Sequence, residues 1–577
     1  MKTMIQKYLL VISAVLLFLT ACEDEKPSND LLKVHITNEP STLNAVNNNS
    51  NIGSIILDLT QKSLIRFDSR NGDVIPVLVE KLPQISADGI RYQFQLRNDI
   101  FWDNKSKVNA DDVEFSIKLM VCNLNGNPSK RANYSEFIKQ FIKISETEFE
   151  VEMKENSVLN RNVFNGIFIL QKAFYDSSNV LSRYSVQQLV DSKIENDSIL
   201  TAFFEKFNAV DYGKNPKLLS GLGQYAIKNW EKDQFIVLER KNDWWGKNDT
   251  LIYQLAIPEK IIFVSIKDEN AAALALQNQE IDVSFYLSGN KVKELKEIAG
   301  FNQYFDVHFT NQFGFNYLAM NTKPEQKSRN LLFNDLVVRK AMAQSIPIDD
   351  MIKIVTNNEA TKMASFLLKG QEGYFDGLNV ISQNLENASK TLTEAGWADT
   401  DNNGILDKNI NGKKQEFTFE LLYPEGPGTK EMVILIQEAL KKIKIDCQLQ
   451  LSDIAQVYKK GREHDFDMLL GSFSGSSYFQ NQGQIWHTKS WENNGMNYSG
   501  FGNSKTDSII DLANTELDKN KRAAYLKTLQ EEVYNYQPFV FLYSPKRRMI
   551  VNKRYPKPLF VADSPGIILN ALKSKTE

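Results

Sequence analysis

Residues capable of chemistry are plentiful in this chain, but their spacing seldom assembles a reaction centre. The four histidines, His35, His308, His464 and His487, are scattered, and none forms the His-Glu-x-x-His pair that sets two imidazoles on one helix face for zinc. His464 lies close to Asp467, yet Asp467 falls in an apolar strand and is expected to cap or pair. Three cysteines are too few for a thiolate zinc centre or a disulfide scaffold. Cys122 in a helical stretch and Cys447 in an apolar strand read as structural thiols. There is no Gly-x-Ser-x-Gly elbow and no phosphate loop, and Gly221-Leu222-Gly223 lacks the third glycine and following helix of a dinucleotide site. Asp399 to Asp407 follows a calcium loop through its ninth position, but Ile410 stands where the bidentate glutamate is required, so a polar turn is expected. No metal or cofactor is expected. Paired acids for sugar hydrolysis stay open as a rival reading with no positive support.

Cys22 offers chemistry of another kind. Lys2 and Lys7 precede an apolar run from Tyr8 to Leu19 that closes on Leu19-Thr20-Ala21-Cys22. The run falls short of the roughly 20 residues a spanning helix needs, so it reads as an export signal with a processing site. The segment resembles the lipobox of bacterial lipoproteins, which implies cleavage before Cys22 and attachment to a lipid bilayer by several acyl chains, since one chain holds only reversibly. Glu23, Asp24 and Glu25 open a polar tether reaching Asp30. This acidic leader resembles the surface-export signal of some Bacteroidota lipoproteins, so an envelope location facing the periplasm or the exterior is expected, with inner and outer membrane both open.

The remaining chain is long enough for two or three domains. The full chain's formal net charge of −3, with basic residues scattered, argues against nucleic acid as a partner. Asn109-Ala110-Asp111-Asp112 predicts a capped helix start, with Asp112 reaching back as the acid of a capping box and Val113, Ile117, Met120 and Leu124 on one face. Strand, helix and strand follow one another at Ile261–Ile266, Ala271–Leu276 and Ile281–Phe285, and again at Phe417–Leu422, Met432–Leu440 and Ile445–Leu449. Both are βαβ patterns of an α/β architecture. A strand over Phe466–Leu470 points into the serine-rich loop Gly471-Ser472-Phe473-Ser474-Gly475-Ser476-Ser477.

Several segments, in order, resemble the extracellular solute-binding proteins of family 5, which serve peptide and nickel ABC importers. They are Glu39-Pro40-Ser41-Thr42-Leu43-Asn44; Leu96-Arg97-Asn98-Asp99-Ile100-Phe101-Trp102 with the helix start at Ala110-Asp111-Asp112-Val113; Gly221-Leu222-Gly223-Gln224-Tyr225; Arg240 to Trp245; Asn334 to Ala341; and Leu392-Thr393-Glu394-Ala395-Gly396-Trp397. The resemblance implies a bilobal, periplasmic-binding-protein-like α/β fold of type II, of the large kind with an extra subdomain in the first lobe. The expected divisions are a signal peptide at 1–21, an acylated tether at 22–31, and a first lobe at 32–285 with the inserted subdomain near 65–200. A second lobe at 286–525 follows, and 526–577 returns to the first, with Pro538 to Tyr543 as a final strand there.

It also implies a monomeric binding protein without catalysis, which captures oligopeptides or peptide-like solutes between its lobes and delivers them to an ABC permease and its ATPase subunits. An oligosaccharide ligand, an envelope hydrolase and a non-transporting assembly lipoprotein are the rival readings. Peptide-binding members carry Gly-Trp-x-x-Asp after the strand that corresponds to Phe466–Leu470, and its aspartate holds the ligand ammonium; here that place has serines. A buried ammonium lacking a counter-charge is costly. The candidate ligand contacts are therefore Ser474 and Ser476 by hydrogen bonding, Tyr478, Phe479 and Trp486 by stacking, and Asn44, Tyr317 and Asn321 at the presumed cleft.

Overall fold

A computed structural model describes residues 30–323, 332–410, 412–493 and 495–575; the export signal, Cys22 and the acidic tether lie outside the described residues. Two sheets organise the molecule. The first has seven strands in the order Phe305–Thr310, Arg547–Asn552, Val283–Ser284, Leu31–Ile36, Lys260–Ser265, Phe235–Arg240 and Tyr225–Glu231. Leu31–Ile36 lies at its centre, parallel to both Lys260–Ser265 and Val283–Ser284, and the helix Glu269–Gln277 makes the crossover between those two. The second sheet has five strands in the order Asp446–Ser452, Thr418–Pro424, Met468–Ser474, Gly314–Met320 and Phe539–Phe541. Its parallel pair Thr418–Pro424 and Asp446–Ser452 is joined through the helix Thr429–Lys441. Both βαβ readings of the sequence are present.

A four-stranded antiparallel sheet, Gln84–Ile85, Arg91–Gln95, Glu148–Met153 and Ile138–Lys143, packs beside the first sheet. Its apolar side chains are continuous with the core of the seven-stranded sheet, from Tyr92 and Phe149 through Phe94 and Phe164 to Ile56 and Leu238.

Sheet membership falls differently from the divisions drawn on the sequence. The helix Gly289–Glu297 and the strand Phe305–Thr310 pack on the first sheet, with Val292, Leu295 and Phe305 beside Ile550. Phe539–Phe541 pairs with Gly314–Met320, so it completes the second lobe and not the first. The chain re-enters the first sheet only at Arg547. Apolar alternation marks a strand but carries no information about which sheet it joins.

The segments behind the family resemblance have local physical roles. Asn109 accepts from the backbone N–H of Asp111 and Asp112 at the head of the helix Ala110–Val121. The buried Asp112 carboxylate accepts from three donors: the Asn109 N–H at 3.2 Å, the Trp102 indole at 3.0 Å and the Lys172 N–H at 2.8 Å. Burial raises its pKa despite those bonds. Arg97 pairs with Asp99 and Asp249, each at 2.8 Å. At Gly223 the backbone runs against the end of the helix Asn51–Thr60, where a Cβ would collide with Leu59 and Thr60. Asp335 caps the helix Leu336–Ser345, while the buried Arg339 guanidinium donates to the carbonyls of Phe333, Asn334 and Tyr536.

Cys122 and Cys447 are buried free thiols in the cores of different lobes, each pushed up to about 12 by burial. The acids of the calcium-like turn are matched by lysines: Asp399 meets Lys444 at 2.8 Å, and Asp401 pairs with Lys414.

Removing the Asp112 carboxylate strands three donors at once. Asp112→Ala is expected to cost about 2–4 kcal/mol of stability, read from the shift in chemical denaturation midpoint, with little effect on the affinity of protein that remains folded.

Candidate functional site

The chain crosses between the sheets twice, through residues 311–313 on the way out and through residues 542–546 on the way back. Loops at the strand ends of both lobes therefore face one another across a cleft. The larger cavity there has a volume of about 500 Å3. The first lobe supplies most of its wall, and Gly475, Ser476 and Tyr478 enter from the second. A neighbouring cavity of about 380 Å3, lined by Phe313, Asn316, Ser472, Ser474 and Arg547, shares Asn51, Gly475 and Ser564 with it.

Helical spacing sets one wall. Ser50 caps the helix Asn51–Thr60, which buries Ile52, Ile56 and Leu57 in the core and turns Asn51, Ser54 and Asp58 towards the cleft. Asp58 pairs with Arg66, whose guanidinium lies 3.9 Å from the centre of the Tyr253 ring. Burial alone would raise the Asp58 pKa, but Arg66 and Lys62 outweigh it and hold the carboxyl below its ordinary value. The Tyr253 hydroxyl in turn donates to Asp68 at 2.9 Å, and Arg70 holds Asp68 down to about 2.

The lobes touch across the cleft. Ser477 donates to both oxygens of Asp563, from its N–H at 2.9 Å and from its hydroxyl at 2.6 Å. Beside this clasp, Tyr478 stacks on Phe67 with ring centres 4.1 Å apart and planes 15° off parallel. The Ser477 carbonyl comes so close to Gly72, at φ +73°, that a Cβ there would lie 2.7 Å from it. Further out, the Val158 N–H donates to the Asn514 carbonyl at 2.8 Å, and Lys519 meets Asp73 at 2.8 Å.

Of the residues singled out on the sequence, Ser474, Ser476 and Tyr478 line the cleft. The other five do not. Asn44 is buried in a turn, where its amide donates to the Phe207 carbonyl and its oxygen accepts from Val46. Tyr317 stacks on Phe539 inside the second lobe at 4.3 Å. Asn321 donates to the carbonyls of His464 and Phe466. Phe479 lies in a separate recess of about 60 Å3 under Arg522. Trp486, fully buried, packs among Phe366, Phe501 and Phe539. Buried aromatic and amide side chains close to a loop look the same in sequence whether they face a ligand or the core.

Sequence reasoning missed Asp58, Arg66, Lys130, Tyr134, Asn165 and Asp563. Only Ser54 and Asp58 carried a signal, as polar positions opposite the apolar stripe of their helix. Among the described residues no group of three or more His, Cys, Asp or Glu side chains could hold a metal ion, and no helix is long and apolar enough to cross a membrane.

Residues 73–496 match the model of the bacterial extracellular solute-binding proteins, family 5 Middle. The chain belongs to this family. It is 23% identical to the oligopeptide-binding protein AppA of Bacillus subtilis (strain 168) over 567 residues, covering 93% of each chain. The solved structure of AppA from Bacillus subtilis in complex with a nonapeptide superposes with a TM-score of 0.65 at 20% identity, over 95% of this chain and 99% of that one. The structure of HbpA2 from Haemophilus parasuis gives a TM-score of 0.72 at 18% identity, over 95% and 100%. The fold is thus the two-lobed, type II binding-protein fold expected from the sequence. The protein is an extracytoplasmic solute-binding component of the ABC-importer type, with a binding and not a catalytic role.

If the Ser477–Asp563 clasp stabilises lobe contact, Asp563→Ala will increase the radius of gyration of the ligand-free protein in small-angle scattering. It will also weaken capture by about tenfold, the equivalent of about 1.4 kcal/mol.

Proposed function

We propose that this chain is a lipid-anchored receptor that captures oligopeptides or peptide-like solutes in the interlobe cleft and presents them to an ABC permease and its ATPase subunits. The observation that carries the reading is the cleft itself: cavities lined from both lobes at the hinge, with polar groups and aromatic rings interleaved. Ser476 and Tyr478 from the second lobe face Asn51, Ser54 and Phe168 from the first. Such a surface suits a solute with alternating polar and apolar groups, and closure excludes water from the hydrogen bonds it makes. The near full-length likeness to an oligopeptide-binding protein, and to a solved relative holding a nonapeptide, supports peptides as the solute.

Ser474, Ser476 and Tyr478 are the proposed second-lobe contacts: the serines as donors and acceptors, Tyr478 as a ring that reaches the solute only beside its stack with Phe67. Placement at the membrane rests on the export signal and Cys22, whose several acyl chains would keep the receptor next to its permease.

Native mass spectrometry of freshly purified protein is expected to show retained species in the mass range of short peptides, displaced by an added peptide pool. A cleft that carries no adduct and takes up no peptide would overturn the reading. Cys22→Ser is expected to release the protein from the membrane fraction, while export continues.

A further inference from the structure

We propose that Lys130, with Tyr134 and Asn165, forms an anion-recognising wall of the cleft, so that the captured solute carries a carboxylate set against the Lys130 ammonium. This inference rests on the peptide-capture reading and names the chemistry its solute must have.

Asn127 caps the helix Pro128–Ser135, and Lys130 and Tyr134 lie one turn apart on it, both on the cavity wall. The Lys130 ammonium donates to the Ala45 carbonyl at 2.9 Å, and among the described residues no carboxylate lies within ion-pair distance of it. Burial lowers its pKa to about 8. The Tyr134 hydroxyl sits against Gly166, where any Cβ would collide with it, so the chain at 166 is kept bare to admit the phenol. Asn165 accepts from the Phe67 N–H at 3.1 Å through its oxygen, which leaves its amide N–H groups to donate.

The other charged groups on the cavity wall already have partners within the protein. Asp58 pairs with Arg66, and Asp563 takes two bonds from Ser477. Lys130 has no carboxylate partner among the described residues, and it shares the cavity wall with the Tyr134 hydroxyl and the Asn165 amide. An ammonium set in such a place gains most from a desolvated anion, and a carboxylate accepting from all three groups satisfies them together. A peptide offers that group either as its terminal carboxylate or as an acidic side chain.

The test uses the full-length chain and random pentapeptide pools in four forms: terminal carboxylate or terminal amide, each with or without Asp and Glu. Wild type should bind the amidated, acid-free pool roughly 30-fold more weakly than the pool that carries both kinds of carboxylate. Lys130→Met should lose that preference, and Lys130→Arg should keep it. Loss on amidation alone identifies the terminal carboxylate; loss only on removing Asp and Glu identifies a side chain. Equal binding of all four pools, or a folded Lys130→Met protein with unchanged preference, overturns the proposal and leaves peptide capture standing. If no pool binds wild type, peptide capture itself fails. The wall is then decided by thermal stabilisation with acetate, succinate and citrate: stabilisation lost in Lys130→Met upholds it, and none in wild type overturns it.

Discussion

Everything in the cleft depends on the two chain crossings between the sheets. Phe305–Thr310 pairs with Arg547–Asn552 in the first lobe, and Gly314–Met320 pairs with Phe539–Phe541 in the second. The same two stretches of chain are therefore neighbours on both sides of the hinge. Only residues 311–313 and 542–546 lie between the ladders, and the Leu542 N–H still donates to the Asn316 carbonyl at the edge of that gap. The two links run side by side in opposite directions and form the hinge on which one lobe can turn against the other. They bring loops at the strand ends of the two lobes together. That is how Ser477 reaches Asp563, and Tyr478 reaches Phe67, across a gap spanned by no other covalent link.

Closure is stabilised by contacts that are individually modest. A hydrogen bond to a carboxylate is worth about 1.5–3 kcal/mol and a ring stack about 0.5–1.5 kcal/mol. Terms of that size allow the lobes to part and rejoin, and a bound solute has to add only a comparable amount to shift the balance. The rigid parts are elsewhere. Asp112 ties a strand end, a helix start and a following loop into the first lobe, while Trp486 with its aromatic neighbours fills the second. Rigid lobes and weak contacts between them are the combination a capture device needs.

Much of the fold was legible because it is set by local rules. The capping box at Asn109 and Asp112 and the two strand–helix–strand units follow from neighbouring residues alone. Lobe boundaries were not, because the strands at 305–310 and 539–541 have the same alternation whichever sheet they join. The site was legible only in part for a related reason. Its wall gathers Asp58, Lys130, Asn165, Tyr253, Ser476 and Asp563, residues spread over nearly the whole chain with no shared period. The serine loop was found because it follows a recognisable strand. Tyr317 and Trp486, equally aromatic and equally close to that loop in sequence or in space, turned out to fill the core.

The serine loop gains its meaning from what faces it. Peptide binders of this family are expected to hold a ligand ammonium with an aspartate on this loop, and here the loop carries hydroxyls and backbone N–H groups. The nearby carboxylate, Asp563, comes from the opposite lobe and is occupied by the loop itself. Asp58, the other acid on the wall, is held by Arg66. A ligand ammonium would have to displace one of these partners, and the exchange would leave a guanidinium, or the clasp, unsatisfied in a partly dry cleft. A ligand anion meets no such competition at Lys130. The loss of an acid from the loop and the Lys130 ammonium on the opposite wall thus act in the same direction, shifting the cleft from a site that anchors positive ends towards one that anchors negative ones.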